Sequence, residues 1–226
     1  FLDFKGSSDE LLQAVNEEFN VSLEKWDTHE RICMDIAATI QAAFEDKVIE
    51  YMGKWAEATG AKSLYYSGGS ALNIIANSRL ERAGIFEKIF IPPCVTDCGL
   101  ALGAAAWIEY LDHGRVKKHS PFLDKFDVPS YPSGFEFDID SICKMLADGK
   151  VLGICTGAGE IGPRALGHRS IIARADDAEL RKRISESMKG REWYRPIAPV
   201  MADWVARMVL EEDAERNTLS RYMLGA

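Results

Sequence analysis

The chain lacks any run approaching the eighteen or so apolar residues that a membrane-spanning helix requires, so none of its 226 residues supplies such a span. Positive charge is in deficit. Lys and Arg number 27 against 35 Asp and Glu, a formal net charge of −8, which argues against a broad nucleic-acid-binding face. Cysteine is sparse and odd in number, with five residues at 33, 94, 98, 143 and 155. Set mostly in apolar segments, they are expected to be reduced thiols rather than a disulfide framework. Cys94 and Cys98 flank Asp97, but no second Cys or His pair stands at zinc spacing, so a structural zinc site is not expected. The opening Phe1-Leu2-Asp3-Phe4-Lys5-Gly6 has neither the basic start nor the apolar stretch of a signal peptide, and no initiator Met precedes it. The expectation is an internal piece of a longer cytoplasmic protein. There is no internal repeat and no low-complexity tract.

What is present is an ordinary globular composition, 47% apolar and 27% charged, sufficient for one large domain or two modest ones. Residues 7–24 read as a short acidic helix. Asp27 and Glu30 resemble a capping box ahead of a longer helix that runs to about Thr59 and stops at Gly60. His29 falls at that helix start as a surface or capping residue. Leu64–Tyr66 reads as a buried strand, residues 67–70 as a tight turn, and Ala71–Ala83 as an amphipathic helix closed by Gly84. Ile85–Ile91 predicts another strand, ended by Pro92 and Pro93. A helix of small residues, Leu100–Trp107, then follows, suited to lie close against a sheet or a second helix.

Prolines at 121, 129 and 132 mark a boundary near residue 120, with Lys117, Lys118, His113 and His119 on a solvated face or linker. Beyond it, Asp140 opens a helix through Ala147, and Val151–Cys155 and Ser170–Ala173 predict strands. Asp176 or Asp177 caps a helix through Met188, and Ile197–Met201 predicts an edge strand because Pro199 cannot donate to a ladder. Asp203 caps a last helix, and the tail from Asn217 ends without a stable closing element.

Three places carry candidate chemistry. A glycine turn, Gly68-Gly69, sits between a strand and a helix N-terminus, where N–H dipoles converge; Asn73 either hydrogen-bonds a ribose or phosphate there or caps the helix. Asp97, ahead of a helix, reads locally as an N-cap, with presentation of a carboxylate to a metal or nucleotide as the alternative. The densest signal runs from Gly157 to Met201, where glycine-rich backbone alternates with Arg164, Arg169, Lys189, Arg191 and Arg195. Planar guanidinium forks suit a phosphate best, and Pro163 and Gly167 bend the chain so that Arg164 and Arg169 can converge. Glu192 offers Arg195 an internal partner, His168 is a donor to phosphate or to backbone, and Glu160 is expected to anchor an Arg fork. No nucleophile–base order is convincing, so the expected catalysis is positioning and electrostatic stabilisation of a phosphate-bearing substrate.

These residues also form longer blocks: Glu160-Ile-Gly-Pro-Arg-Ala-Leu-Gly-His-Arg-Ser-Ile171, Lys189-Gly-Arg-Glu-Trp-Tyr-Arg-Pro-Ile-Ala-Pro199, Gly68-Gly-Ser-Ala-Leu-Asn73 with Ala76-Asn-Ser-Arg-Leu80, and Pro92-Pro-Cys-Val-Thr-Asp-Cys-Gly-Leu-Ala-Leu-Gly-Ala-Ala106. In this order they resemble the O-carbamoyltransferases that modify nodulation factors and antibiotics, over roughly residues 25 to 224. The resemblance implies an α/β chain. Residues 1–118 would be the second lobe of an actin/sugar-kinase-like domain, 119–137 a linker, and 138–226 part of an adenylate-forming domain similar to threonylcarbamoyl-AMP synthase.

In that family, carbamoyl phosphate and ATP give carbamoyl-adenylate and pyrophosphate. The carbamoyl group then passes to a hydroxyl of a small-molecule acceptor beside a bound divalent metal, expected to be iron, with Mg accompanying ATP. By position, Asp97 matches the metal-ligand Asp, and Gly68, Gly69 and Asn73 match the segment facing the adenylate. Arg164, His168, Arg169, Lys189, Arg191 and Arg195 match the basic loops for carbamoyl phosphate and ATP phosphates. The resemblance makes Arg164 and Arg169 catalytic and implies neither a nucleic-acid nor a membrane partner, with self-association left open. It also marks departures: Ala158 stands where an Arg is usual, and no His-x-x-x-His metal pair occurs. The chain is therefore expected to be a fragment, inactive alone and with little metal affinity. The competing readings are a sugar-kinase-like phosphotransferase, which leaves the arginine stretch unexplained, and a non-catalytic ligand-binding module.

Overall fold

A computed structural model describes residues 6–25, 27–117, 122–125, 138–155, 158–209 and 219–226. Gly157, His119 and most of the expected linker lie outside them. The described part is mixed α/β, and no helix in it is long and apolar enough to cross a membrane. It divides into two compact units, Phe1–Lys62 with Arg79–Glu87, and Ser63–Ser78 with Lys88–Ala226.

In the first unit, α1 (Ser8–Phe19) starts with a capping box: the Ser7 hydroxyl accepts the Glu10 N–H, and the Glu10 carboxylate accepts the Ser7 N–H at 2.6 Å. The expected box at Asp27 and Glu30 does not form. The Asp27 carboxylate takes the N–H of Glu24, three residues upstream, at 2.6 Å, and Glu30 stands at the N-cap with no side-chain bond. Asn16 clasps Leu23 in both directions, accepting its N–H at 2.8 Å and donating to its carbonyl at 3.0 Å, which helps bury Leu23 and Val15. Helix α2 (Arg31–Thr59) ends at Gly60, as expected, and buries no residue. Along it Lys47 and Lys54 both hold Glu50, while Glu45 and Asp46 pair with the distant Arg79.

The second unit holds three two-stranded sheets. Strands β1 (Ser63–Tyr65) and β2 (Lys88–Phe90) pair in parallel, Leu64 opposite Ile89. Between them in sequence come a 3₁₀ turn, Gly69–Leu72, and α3 (Ile74–Arg82). The helix expected from Ala71 therefore breaks at Asn73, whose extended backbone and side-chain bond to the Ala76 N–H (3.0 Å) cap α3. Helix α4 (Cys98–His113) follows, and the small-residue segment expected to pack against a neighbour buries nothing among the described residues.

Strand β3 (Phe122–Lys125), inside the stretch expected as linker, pairs antiparallel with β5 (Ala158–Glu160), and β4 (Leu152–Cys155) with β6 (Arg169–Ile172). Helix α5 (Ile139–Ala147) is capped by Asp138 rather than opened by Asp140, because the Asp138 carboxylate accepts the N–H groups of Asp140 and Ser141. Asp177 caps α6 (Ala178–Lys182), which continues as a π-helical turn over Arg183–Met188.

Three expectations about the C-terminal part fail. Residues 197–201 form no strand; Pro196 and Pro199 remove two donors, and Val200 stands 90% exposed. From Leu219 onward the tail is anything but loose. After α7 (Asp203–Val209), in which Asp203 is the first helical residue rather than a cap, Leu219 and Leu224 enter the core with Ala71, Ile91 and Val95. Each of these five residues is at most 3% exposed, and Tyr66, Leu72, Ile89 and Tyr222 pack around them.

Candidate oxyanion site

The second unit draws three of the sequence-identified segments onto one short strap, Pro93-Cys94-Val95. Pro93 and Val95 are buried. On one side, the N–H of Gly68 donates to the Val95 carbonyl at 3.1 Å. Gly68 has φ +102°, which a side chain would strain, and space is open beside both it and Gly69. On the other side, Gly162 lies so close that a Cβ on it would stand 2.1 Å from the Pro93 carbonyl oxygen. Only a glycine allows the Arg164 loop to approach the strap this way. The strap then turns into α4, where Gly99 makes the same kind of approach to the Cys94 carbonyl, 2.2 Å from its would-be Cβ.

Asp97 lies on that turn. Its backbone is already helical (φ −53°, ψ −24°) and its side chain makes no cap bond, so the expected N-cap role is not seen. The exposed carboxylate follows Thr96, whose hydroxyl lies 2.8 Å from the Cys98 sulfur. All five cysteines are free thiols, and burial pushes the Cys94 thiol up. Among the described residues no three His, Cys, Asp or Glu side chains gather where a metal could sit. Asp97 on its own does not make a metal centre.

The loop from Glu160 to Arg169 is tied across its base. One Glu160 oxygen, Oε1, accepts the N–H of Leu166 at 2.6 Å and of His168 at 2.8 Å. Glu160 is thus an anchor, as expected, but of backbone amides and not of an Arg fork. The Gly167 N–H goes to Ser170 Oγ at 3.0 Å. These three loop amides are therefore occupied and are not free to meet an anion. Arg164 is half-buried, and its Nε is enclosed without a hydrogen-bond partner among the described residues. Arg169 is exposed, with Nη1 donating to the His168 carbonyl at 2.9 Å. The His168 ring lies 4.4 Å, centroid to centroid, from Phe122 of β3, a contact that sequence reading missed because Phe122 sits in the expected linker.

The second basic stretch is built differently. The N–H groups of Lys189, Gly190 and Arg191 run back to the carbonyls of Ile184, Glu186 and Ser185, winding the segment onto the π-helical turn. Arg195 is taken by Glu192, Nε to Oε2 at 2.6 Å, which is the internal pair that the sequence offered. Lys189 is exposed and Arg191 half-buried. Gly68, the Asp97 turn and Gly162 ahead of Arg164 thus meet on one strap, whereas the hydrogen bonds described for Lys189–Arg195 stay within that segment and the π-helical turn before it.

Comparison with known proteins gives this arrangement a lineage. A family model described as the carbamoyltransferase N-terminus matches residues 5–106, and one for the carbamoyltransferase C-terminus matches 143–226. Nodulation protein NolNO of Sinorhizobium fredii is 35% identical over 198 residues, covering 80% of this chain and 28% of the relative. Nodulation protein U of Azorhizobium caulinodans is 34% identical over 198 residues, 84% of this chain and 34% of the relative. Nodulation protein NolO of Bradyrhizobium diazoefficiens is 33% identical over 198 residues, 80% of this chain and 34% of the relative. The chain spans about a third of the length of these relatives. With the N- and C-terminal models matched in order over most of its length, the chain belongs to the carbamoyltransferase family.

Proposed function

We propose that this chain is part of an enzyme that takes a carbamoyl group from carbamoyl phosphate, activates it with ATP as carbamoyl-adenylate, and passes it to a hydroxyl of a small-molecule acceptor. The observation that carries the reading is the Nε of Arg164, enclosed and without a partner among the described residues. A buried guanidinium N–H with no acceptor is costly, and an oxyanion bound beside it removes that cost. Arg164 would grip the phosphoryl group with Arg169 and His168 from the same loop, and Lys189, Arg191 and Arg195 would meet the phosphates of ATP. Supporting a nucleotide at Gly68, Gly69 and Asn73 is the open space beside the two glycines. The Gly68 N–H is already spent on Val95, which leaves Gly69 as the amide donor of that pair.

Within this reading, residues 1–118 are the second lobe of an actin/sugar-kinase-like domain, 119–137 a linker, and 138–226 part of an adenylate-forming domain. Asp97 is one ligand of a metal whose remaining ligands do not gather around it among the described residues. Isothermal titration separates the readings. Binding of carbamoyl phosphate that is lost in Arg164→Ala supports carbamoyl transfer. Binding of ATP alone supports a phosphotransferase, and binding of neither removes both.

A further inference from the structure

We infer that Glu160 is the positioning residue of the arginine loop: it acts on the bound anion through Arg164, without touching the anion itself. The inference rests on the oxyanion reading of that loop. Glu160 is the last residue of β5, held by strand pairing opposite Phe122. Its Oε1 gathers the N–H groups of Leu166 and His168, so a loop leaving the strand at 160 is returned to its starting point at 168. Phe122 fastens the same return through its ring contact with His168. Between these closed ends the loop has one place to go, and there Gly162 rests on the Pro93 carbonyl. Arg164 is thereby set two residues past a backbone contact and two before a clamped amide, with its Nε enclosed.

The clamp also decides how an anion is read. With the Leu166, Gly167 and His168 amides occupied, main-chain N–H groups from that part of the loop are unavailable, and recognition falls to a planar guanidinium. That favours a ligand with two coplanar oxygens, such as a phosphoryl or carbamate group, over a spherical halide.

The test compares wild type with Glu160→Gln and Glu160→Ala by titration with carbamoyl phosphate and by amide hydrogen exchange at Leu166 and His168. The glutamine carbonyl accepts the same two N–H groups, so Glu160→Gln should bind within about threefold of wild type and keep both amides protected. In Glu160→Ala both amides should exchange faster and affinity should fall about tenfold or more, the weight of one charge-assisted hydrogen bond. If Glu160→Ala does not fold, the glutamine variant decides. Equal binding by wild type and Glu160→Ala overturns the positioning role while leaving the functional reading intact. So does tenfold weaker binding by Glu160→Gln with its amides still protected. Failure of wild type itself to bind carbamoyl phosphate overturns the functional reading and the positioning role with it.

Discussion

Asn77 and Leu224 stand 147 positions apart in the chain, and Nδ2 of the first donates to the carbonyl of the second at 2.8 Å. The same nitrogen reaches the Ala71 carbonyl, also at 2.8 Å. One residue on, Ser78 Oγ accepts the Ala226 N–H at 2.8 Å. Helix α3 therefore holds the end of the chain as a strand would, and it is this grip that carries Leu219 and Leu224 into the core.

Asn77→Ala leaves two carbonyls in a site only 1% exposed without their donor. The expected loss is about 1–3 kcal/mol in chemical denaturation, with Asn77→Asp worse because it turns an acceptor toward two carbonyls. Leu224→Ala should cost about 2–5 kcal/mol as a cavity in the same core. A change below about 0.5 kcal/mol in all three, the size usual for an unimportant surface site, would mean that the tail is not held in this way.

Gly162→Ala and Gly167→Ala form a matched pair. Both positions have φ near +100°, but a Cβ at 162 meets the Pro93 backbone, whereas nothing lies within 4 Å at 167. The strain of left-handed backbone, about 1–3 kcal/mol, is common to both. Only Gly162→Ala should also move the loop off the strap, seen as shifted resonances at Pro93–Val95. Equal effects of the two substitutions on that strap would contradict the close approach.

The Glu50 carboxyl is held down to about 2, from 4.5, by hydrogen bonds from Lys47 and Lys54. A depressed carboxyl stabilises the fold above its unfolded value and loses that contribution as pH falls through its folded value. The helicity of α2 should therefore decline between about pH 4.5 and 2, and Glu50→Gln should flatten the decline. Because the group is exposed, high salt should weaken the effect too.

Thiol labelling checks the strap from another side. Cys98 is exposed, whereas Cys94 is half-buried and its thiol is pushed up by burial. Alkylation should modify Cys98 first, with Cys94 following only at higher pH or on unfolding. Equal rates at neutral pH would place Cys94 outside the strap.

Much of the local structure was legible, because it depends on near neighbours. Gly60 ends α2 and Gly149 follows α5, Asp177 caps α6, and β1, β4 and β6 start and end within a residue of the expected strands, although the burial expected of β1 is absent, with Tyr65 67% exposed. What misled was competition for the same group. Asp27 had the spacing of a capping box, but Glu24 offered its N–H at closer range. Residues 197–201 had the composition of a strand, but a strand also needs a partner, and residue pattern does not supply one. The tail was misread because its anchor, Asn77, sits in a helix far upstream with no local sign of its role. The site divides the same way. Arginines and glycines announced a loop for an oxyanion, and Glu160 announced an anchor. That the anchor holds amides, that Gly162 touches Pro93, and that the enclosed Arg164 Nε finds no partner among the described residues are facts of three-dimensional approach.

Anion binding at this site turns on a single N–H, and the nitrogen resonance of Arg164 Nε reports on it directly. On addition of carbamoyl phosphate to the full chain, that resonance should shift downfield and its proton should become protected from exchange, as an unpaired donor acquires a charged acceptor. An Arg164 Nε signal unmoved at saturating carbamoyl phosphate, with Arg191 or Arg195 shifting instead, would contradict the account.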